Sequence, residues 1–137
     1  MTHSLPLRAI PLLAALFAGC GNVPEAKDFN ESLVASALAS CGCGGAPYGS
    51  EDKCRAELPP DEGDQACVEA LFKSLDADFG PHLECRTAAN QRYAACLNGK
   101  SCTDLARLGC LGQYLDEEED CPDFPSDVQN DLNQCLD

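Results

Sequence analysis

Two cysteines one residue apart, Cys41-Gly42-Cys43, are the sharpest place in this 137-residue chain to look for chemistry. Thiols at that spacing could exchange disulfides or hold a soft metal ion. Both chemistries ask for more than the pair. A thioredoxin-like centre uses C-x-x-C in a βαβ setting, and zinc favours repeated short-spaced Cys or Cys/His ligands. Neither accompanies this pair, so structural bridging to two different partners is the expected role. The run Asp116-Glu117-Glu118-Glu119-Asp120 offers oxygen ligands suited to Ca²⁺, but it has neither the fixed offsets nor the turn glycine of a calcium loop. It reads as a solvated acidic loop, with packing near Arg86, Arg92, Lys100 and Arg107 as a further possibility. For acid–base work there are two histidines, His3 and His82. His82 follows Gly80-Pro81 and reads as an exposed histidine at a helix entrance. It is followed by Leu83, so the His-Asp pair of small disulfide-rich phospholipases is absent. No G-x-S-x-G, H-E-x-x-H or phosphate-cradling glycine loop occurs. The chain is expected to be a non-enzyme, without cofactor or metal.

Eleven cysteines are an odd number, and the sequence suggests which one stands apart. Arg8 precedes an uncharged run, Ala9 to Ala18, too short to span a bilayer as a helix. A basic flank, a short apolar core and small residues at its end describe an export signal. The small residues lead directly into a cysteine. Leu16-Phe17-Ala18-Gly19-Cys20 resembles the lipobox of bacterial lipoproteins, with Phe17 where Leu is commonest. The resemblance implies that the Cys20 thiol is joined to diacylglycerol, that the peptide is cut before it, and that the new amine is acylated. It covers little more than the first twenty residues. Gly21 stands where an Asp tends to retain such proteins at the inner membrane. The resemblance therefore implies a cell-envelope location, at the outer membrane or cell surface in a Gram-negative host.

Setting Cys20 aside leaves Cys41, Cys43, Cys54, Cys67, Cys85, Cys96, Cys102, Cys110, Cys121 and Cys135, an even set able to form a disulfide framework. Such a framework is needed. Leu, Val and Phe make up just under a fifth of residues 21–137, isoleucine is absent there, and the chain carries a net charge of −14. That composition ordinarily signals disorder. Each loop-closing disulfide contributes roughly 2–4 kcal/mol, and several together can shift the balance to a folded chain. The same acidity argues against nucleic acid and anionic lipid surfaces as partners, because positive charge supplies those attractions.

The elements that must position these residues read as all-α, about four to five short helices. Residues 1–19 are the signal, 20–30 a lipidated cysteine and flexible tether, and 31–137 one cysteine-rich domain. The first helix is expected from about Asn30 to Cys41, followed by the glycine-rich loop "CGCGGAPYGSEDKC". A second helix is expected over about Asp64–Ala77 and a third over Pro81–Leu97, with Cys85 and Cys96 on one side of it. Ser101-Cys102-Thr103-Asp104 resembles a capping box opening a shorter helix with Leu105 and Leu108, and Ser126-Asp127-Val128-Gln129 a second such box. Ten cysteines allow on the order of a thousand pairings. The one nested set that spacing suggests is Cys96 with Cys102 and Cys85 with Cys110, across a hairpin of the third and fourth helices.

The expected function is that of an envelope or surface protein that binds a protein partner or contributes to structure, with the membrane as its partner through Cys20. Two rivals stand beside it. One is an inhibitor or toxin-like module presenting the rigid loop "GGAPYGSEDK". The other is a redox or metal protein using Cys41 and Cys43.

Overall fold

The first helix begins where the sequence is least suggestive of one. The structure is a computed structural model that describes residues 22–43, 47–100 and 102–137. Helix α1 (Val23–Cys41) has Pro24 in its first turn, where the missing N–H costs nothing. The expected tether therefore does not hold over 23–30. Asn22, Ala26, Phe29 and Asn30 recur at helical spacing, and all four are buried. Polar composition hid that stripe, because two of its four members are asparagines. Cys20 and Gly21 lie outside the described residues.

Asn22 carries more of the fold than its type suggests. Its Nδ2 donates to the carbonyls of Phe72 at 3.3 Å and Ala77 at 3.0 Å. Its Oδ1 accepts from the Phe79 amide at 2.6 Å. The entrance of α1 is thereby tied to the connection between the next two long helices.

The fold is all-α as expected, and six helices form among the described residues. Helix α2 (Glu51–Glu57) begins within the expected loop and runs past its end; it is capped by Ser50, whose hydroxyl accepts from the Lys53 amide. Helix α3 (Glu62–Ser74) opens on a reciprocal capping box between Asp61 and Asp64. Helix α4 (Gly80–Asn98) carries Pro81 in its first turn, as expected. Helix α5 (Asp104–Glu119) is capped by Thr103, whose hydroxyl accepts from the Ala106 amide, so the expected box is displaced. It is also long, running through the acidic segment expected as a loop. Helix α6 (Ser126–Leu136) has Pro125 at its cap position and no side-chain cap bond, and Ser126 is its first residue.

The helices pack in the order α6, α3, α1, α4, α5, with α2 against α1. The apolar core draws on the first four: Ala26 and Phe29 of α1, Val68 and Phe72 of α3, Leu83 of α4, and Val128, Leu132 and Cys135 of α6, with Phe79 and Phe124 from the connections. Phe72, Phe79 and Phe124 form an aromatic cluster with ring centroids 5.6–6.2 Å apart. Burying each large side chain stabilises the fold by roughly 1.5–3 kcal/mol. No residue of α5 belongs to this core.

Candidate functional site

All ten cysteines from Cys41 onward are paired: Cys41–Cys54, Cys43–Cys102, Cys67–Cys135, Cys85–Cys121 and Cys96–Cys110. Cys41 and Cys43 bridge to different partners, one within the α1–α2 corner and one to the entrance of α5. The pair that was sharpest for chemistry is therefore oxidised structure. The pairings expected for Cys96 with Cys102 and Cys85 with Cys110 do not form. The nested arrangement does form, with other partners. Both Cys85 and Cys96 face α5, and the residue numbers of each bridged pair across α4 and α5 add to the same value, the signature of an antiparallel hairpin in register. A helix ending near Cys110 would have set that residue opposite Cys85. Because α5 continues to Glu119, Cys110 lies mid-helix opposite Cys96, and Cys121 falls opposite Cys85.

The rest of the α4–α5 seam is polar. Arg92 Nε lies 2.6 Å from Glu117 Oε2, and Arg86 Nη1 lies 2.9 Å from Glu118 Oε1. The Arg92 hydrogen bond holds the Glu117 carboxyl below the usual carboxylate range. Tyr93 and Tyr114 pack with centroids 5.1 Å apart. Burial, with Glu118 beside it, pushes the Tyr114 hydroxyl up to about 12. The acidic run is thus helix rather than loop, and it meets Arg86 and Arg92 of the four cations considered. Arg107 reaches instead to the Ser40 carbonyl, at 3.1 Å.

His82 is not the exposed histidine expected. It is half-buried, its ring stacked on Phe124 at 5.3 Å and edge-on to Phe79 at 5.3 Å. Arg86, one turn on, sets its guanidinium 4.9 Å from the centre of the Phe124 ring. The Cys85–Cys121 bridge holds the Phe124 segment against both. Among the described residues no partner hydrogen-bonds the buried His82 Nδ1, and its contacts are those of a packed aromatic side chain. Among the described residues no group of three or more His, Cys, Asp or Glu could hold a metal ion, and no helix is long and apolar enough to cross a membrane. Of the glycine-rich loop, 44–46 lie outside the described residues, and Glu51–Lys53 belong to α2.

What remains is the outer face of α5. Leu105, Leu108, Leu111 and Leu115 are 83%, 63%, 37% and 53% exposed. They account for four of the five exposed large apolar side chains among the described residues. At 100° per residue Leu105, Leu108, Gly112 and Leu115 share one outward stripe, with Leu111 at its flank. A methyl group placed on Gly109 or Gly112 would meet open space. Periodicity marks Leu105 and Leu108 as helical but carries no sign that they face away from the protein. A groove of about 410 Å³ lined by Tyr93, Asp104, Arg107, Leu108 and Leu111 runs beside the stripe. Comparison with family models, curated proteins and solved structures finds no match.

Proposed function

We propose that the chain is a non-enzymatic lipoprotein of the cell envelope, anchored through Cys20, that works by presenting a protein-binding surface on α5. The observation that carries this reading is the outward leucine stripe on a helix held by cross-links instead of by its own apolar side chains. Bridges at Cys102, Cys110 and Cys121 fix α5 just before its start, at its middle and just after its end. Among the described helices its packing partner is α4, and Arg107 adds one hydrogen bond to the Ser40 carbonyl at the end of α1. A helix secured this way has no need to bury its leucines, and exposed patches of that kind mark interaction surfaces in stable proteins. Its rigidity lowers the ordering cost of binding.

The anchor is supported by the closed cysteine set, which leaves Cys20 as the single thiol without a partner of its own kind in the sequence. Anchoring would place the domain close to the lipid. One residue, Gly21, separates Cys20 from the buried Asn22, so no long tether intervenes. The contacts of Asn22 with Ala77 and Phe79 would put the α3–α4 connection at the membrane-facing end.

Two measurements test the reading. Intact mass of the protein from its native membrane is expected to show a start at Cys20 bearing acyl chains, with ten thiols appearing only on reduction. A lipid-free protein would remove the anchor. A photo-crosslinking residue at position 108 is expected to give a discrete protein adduct in whole cells, while one at Asp131 on α6 gives none. Equal labelling at both sites, or none at 108, would remove the binding surface.

A further inference from the structure

We infer that the occupant of the α5 face is an amphipathic helix of a partner protein whose apolar stripe is flanked by lysines or arginines. The inference rests on the binding role proposed for this face and adds the chemistry of what binds. The leucine exposures correspond to roughly 400 Å² of apolar surface on one side of a single helix, the scale at which a patch marks an interaction site. An elongated stripe on a straight helix is matched by the apolar stripe of another helix lying along it. Gly112 interrupts the stripe with no side chain. Glycine inside a helix costs about 1 kcal/mol relative to alanine, and here it relieves no internal crowding, since a Cβ would meet open space. What the glycine does permit is close approach of a second helix from outside.

Charge selects the partner. Four acidic residues end α5 and a fifth, Asp120, sits at its C-cap; the seam with α4 uses two of them, Glu117 with Arg92 and Glu118 with Arg86. Asp116, Glu119 and Asp120 are exposed and form no salt bridge among the described residues. Asp116 and Glu119 fall on the outward side beside Leu115 and Gly112. The last turn of α5 holds no basic residue, so these carboxylates lie at the negative end of the helix dipole. That is the less stable placement for an acid, and a lysine or arginine from outside would offset it. At the other end, Asp104 and Lys100 leave little net charge, and Arg107 is turned inward to Ser40. A second copy of this chain fits less well, because each copy brings a net charge of −14 and the same acidic helix end. An anionic membrane is repelled for the same reason.

The test uses the full chain with its disulfides intact and three synthetic peptides of about eighteen residues, or five helical turns. One is an amphipathic leucine/lysine helix, one has the same composition in scrambled order, and one is an amphipathic leucine/glutamate helix. The leucine/lysine helix is expected to bind with micromolar affinity by fluorescence anisotropy, and the other two to bind at least about tenfold more weakly. Leu105→Asp with Leu115→Asp is expected to weaken binding of the first peptide about tenfold or more, although it makes the protein more acidic. Asp116→Asn with Glu119→Gln is expected to weaken it too and to flatten its salt dependence. All four positions are exposed, so the fold is retained, which circular dichroism checks. Four results would overturn the inference: no binding of the leucine/lysine helix, equal binding of the scrambled peptide, binding indifferent to the leucine changes, or self-association of the protein that those changes abolish. A discrete adduct at position 108 together with no peptide binding would leave the binding surface standing and remove the basic helix as its occupant.

Discussion

At the scale of single residues, buried polar groups decide as much as apolar ones. Asn22 satisfies two carbonyls and one amide from a different part of the chain. Asn22→Ala would strand the Phe72 carbonyl and the Phe79 amide in a buried setting and leave the Ala77 carbonyl to solvent. Each unsatisfied buried group costs about 1–3 kcal/mol, so a loss of about 3 kcal/mol is expected in urea unfolding under non-reducing conditions. Asn90 plays a smaller version of the role, donating to Ser32 Oγ at 3.1 Å between α4 and α1. Tyr114 couples the α4–α5 seam to pH. Its hydroxyl titrates near 12 in the folded chain because burial disfavours the phenolate, against 10.0 when unfolded. Between those values the unfolded chain has lost its proton and the folded one keeps it, so stability falls as pH rises from 10 to 12. Tyr114→Phe is expected to remove that alkaline component, read as the difference between unfolding midpoints at the two ends of the window. Glu117 acts in the opposite sense. Its contribution is present above the usual carboxylate range and lost as pH falls through its depressed value.

At the scale of elements, α5 is the unusual one. Cys110 is its only buried residue, so cross-links and ion pairs do for it what apolar burial does for α3 and α6. Replacing Cys96 and Cys110 together by serine, or Cys85 and Cys121 together, would each cost about 2–4 kcal/mol. Hydrogen exchange is expected to show the loss concentrated in α5, with the amides of α3 little changed, because α5 contributes nothing to the apolar core. Gly112→Ala separates stability from binding. Its backbone φ is not positive and space is open around it, so alanine should stabilise the helix by about 0.5–1 kcal/mol. The same methyl group stands in the way of a docked helix and is expected to weaken binding of the leucine/lysine peptide. A substitution that raises the unfolding midpoint and lowers affinity would identify the glycine as one kept for contact rather than for fold.

At the scale of the whole molecule, a small core, high negative charge and five bridges form one balance. The ten buried side chains of this core cannot hold a chain of this charge against its own repulsion and chain entropy without help. Full reduction is expected to abolish the cooperative unfolding transition at neutral pH and low salt. Raising the ionic strength should recover part of the helical signal by screening the carboxylates. A reduced protein that kept its full circular dichroism and a sharp thermal transition would show that the apolar core suffices alone.

Much of this was legible in the sequence, and the boundary has a physical reason. The helical class, the Pro81 entrance of α4, the stripe of α6 and an even set of bridged cysteines follow from local chemistry: periodicity, glycine and proline punctuation, and cysteine count. The helical start of α1 was not legible, because asparagines at 22 and 30 count as polar until a fold surrounds them and completes hydrogen bonds such as those of Asn22. His82 likewise joined the aromatic packing only when the Cys85–Cys121 bridge brought Phe124 onto it. The face of α5 was the least legible feature. A period of 3.6 residues says that Leu105, Leu108 and Leu115 share a side, but not whether that side is turned inward. The bridges at Cys96–Cys110 and Cys85–Cys121 turned it outward, a choice made by contacts between residues 14 and 36 positions apart. Spacing along a chain determines which residues share a helix face, whereas only the cross-links of the folded chain decided which face of α5 meets water.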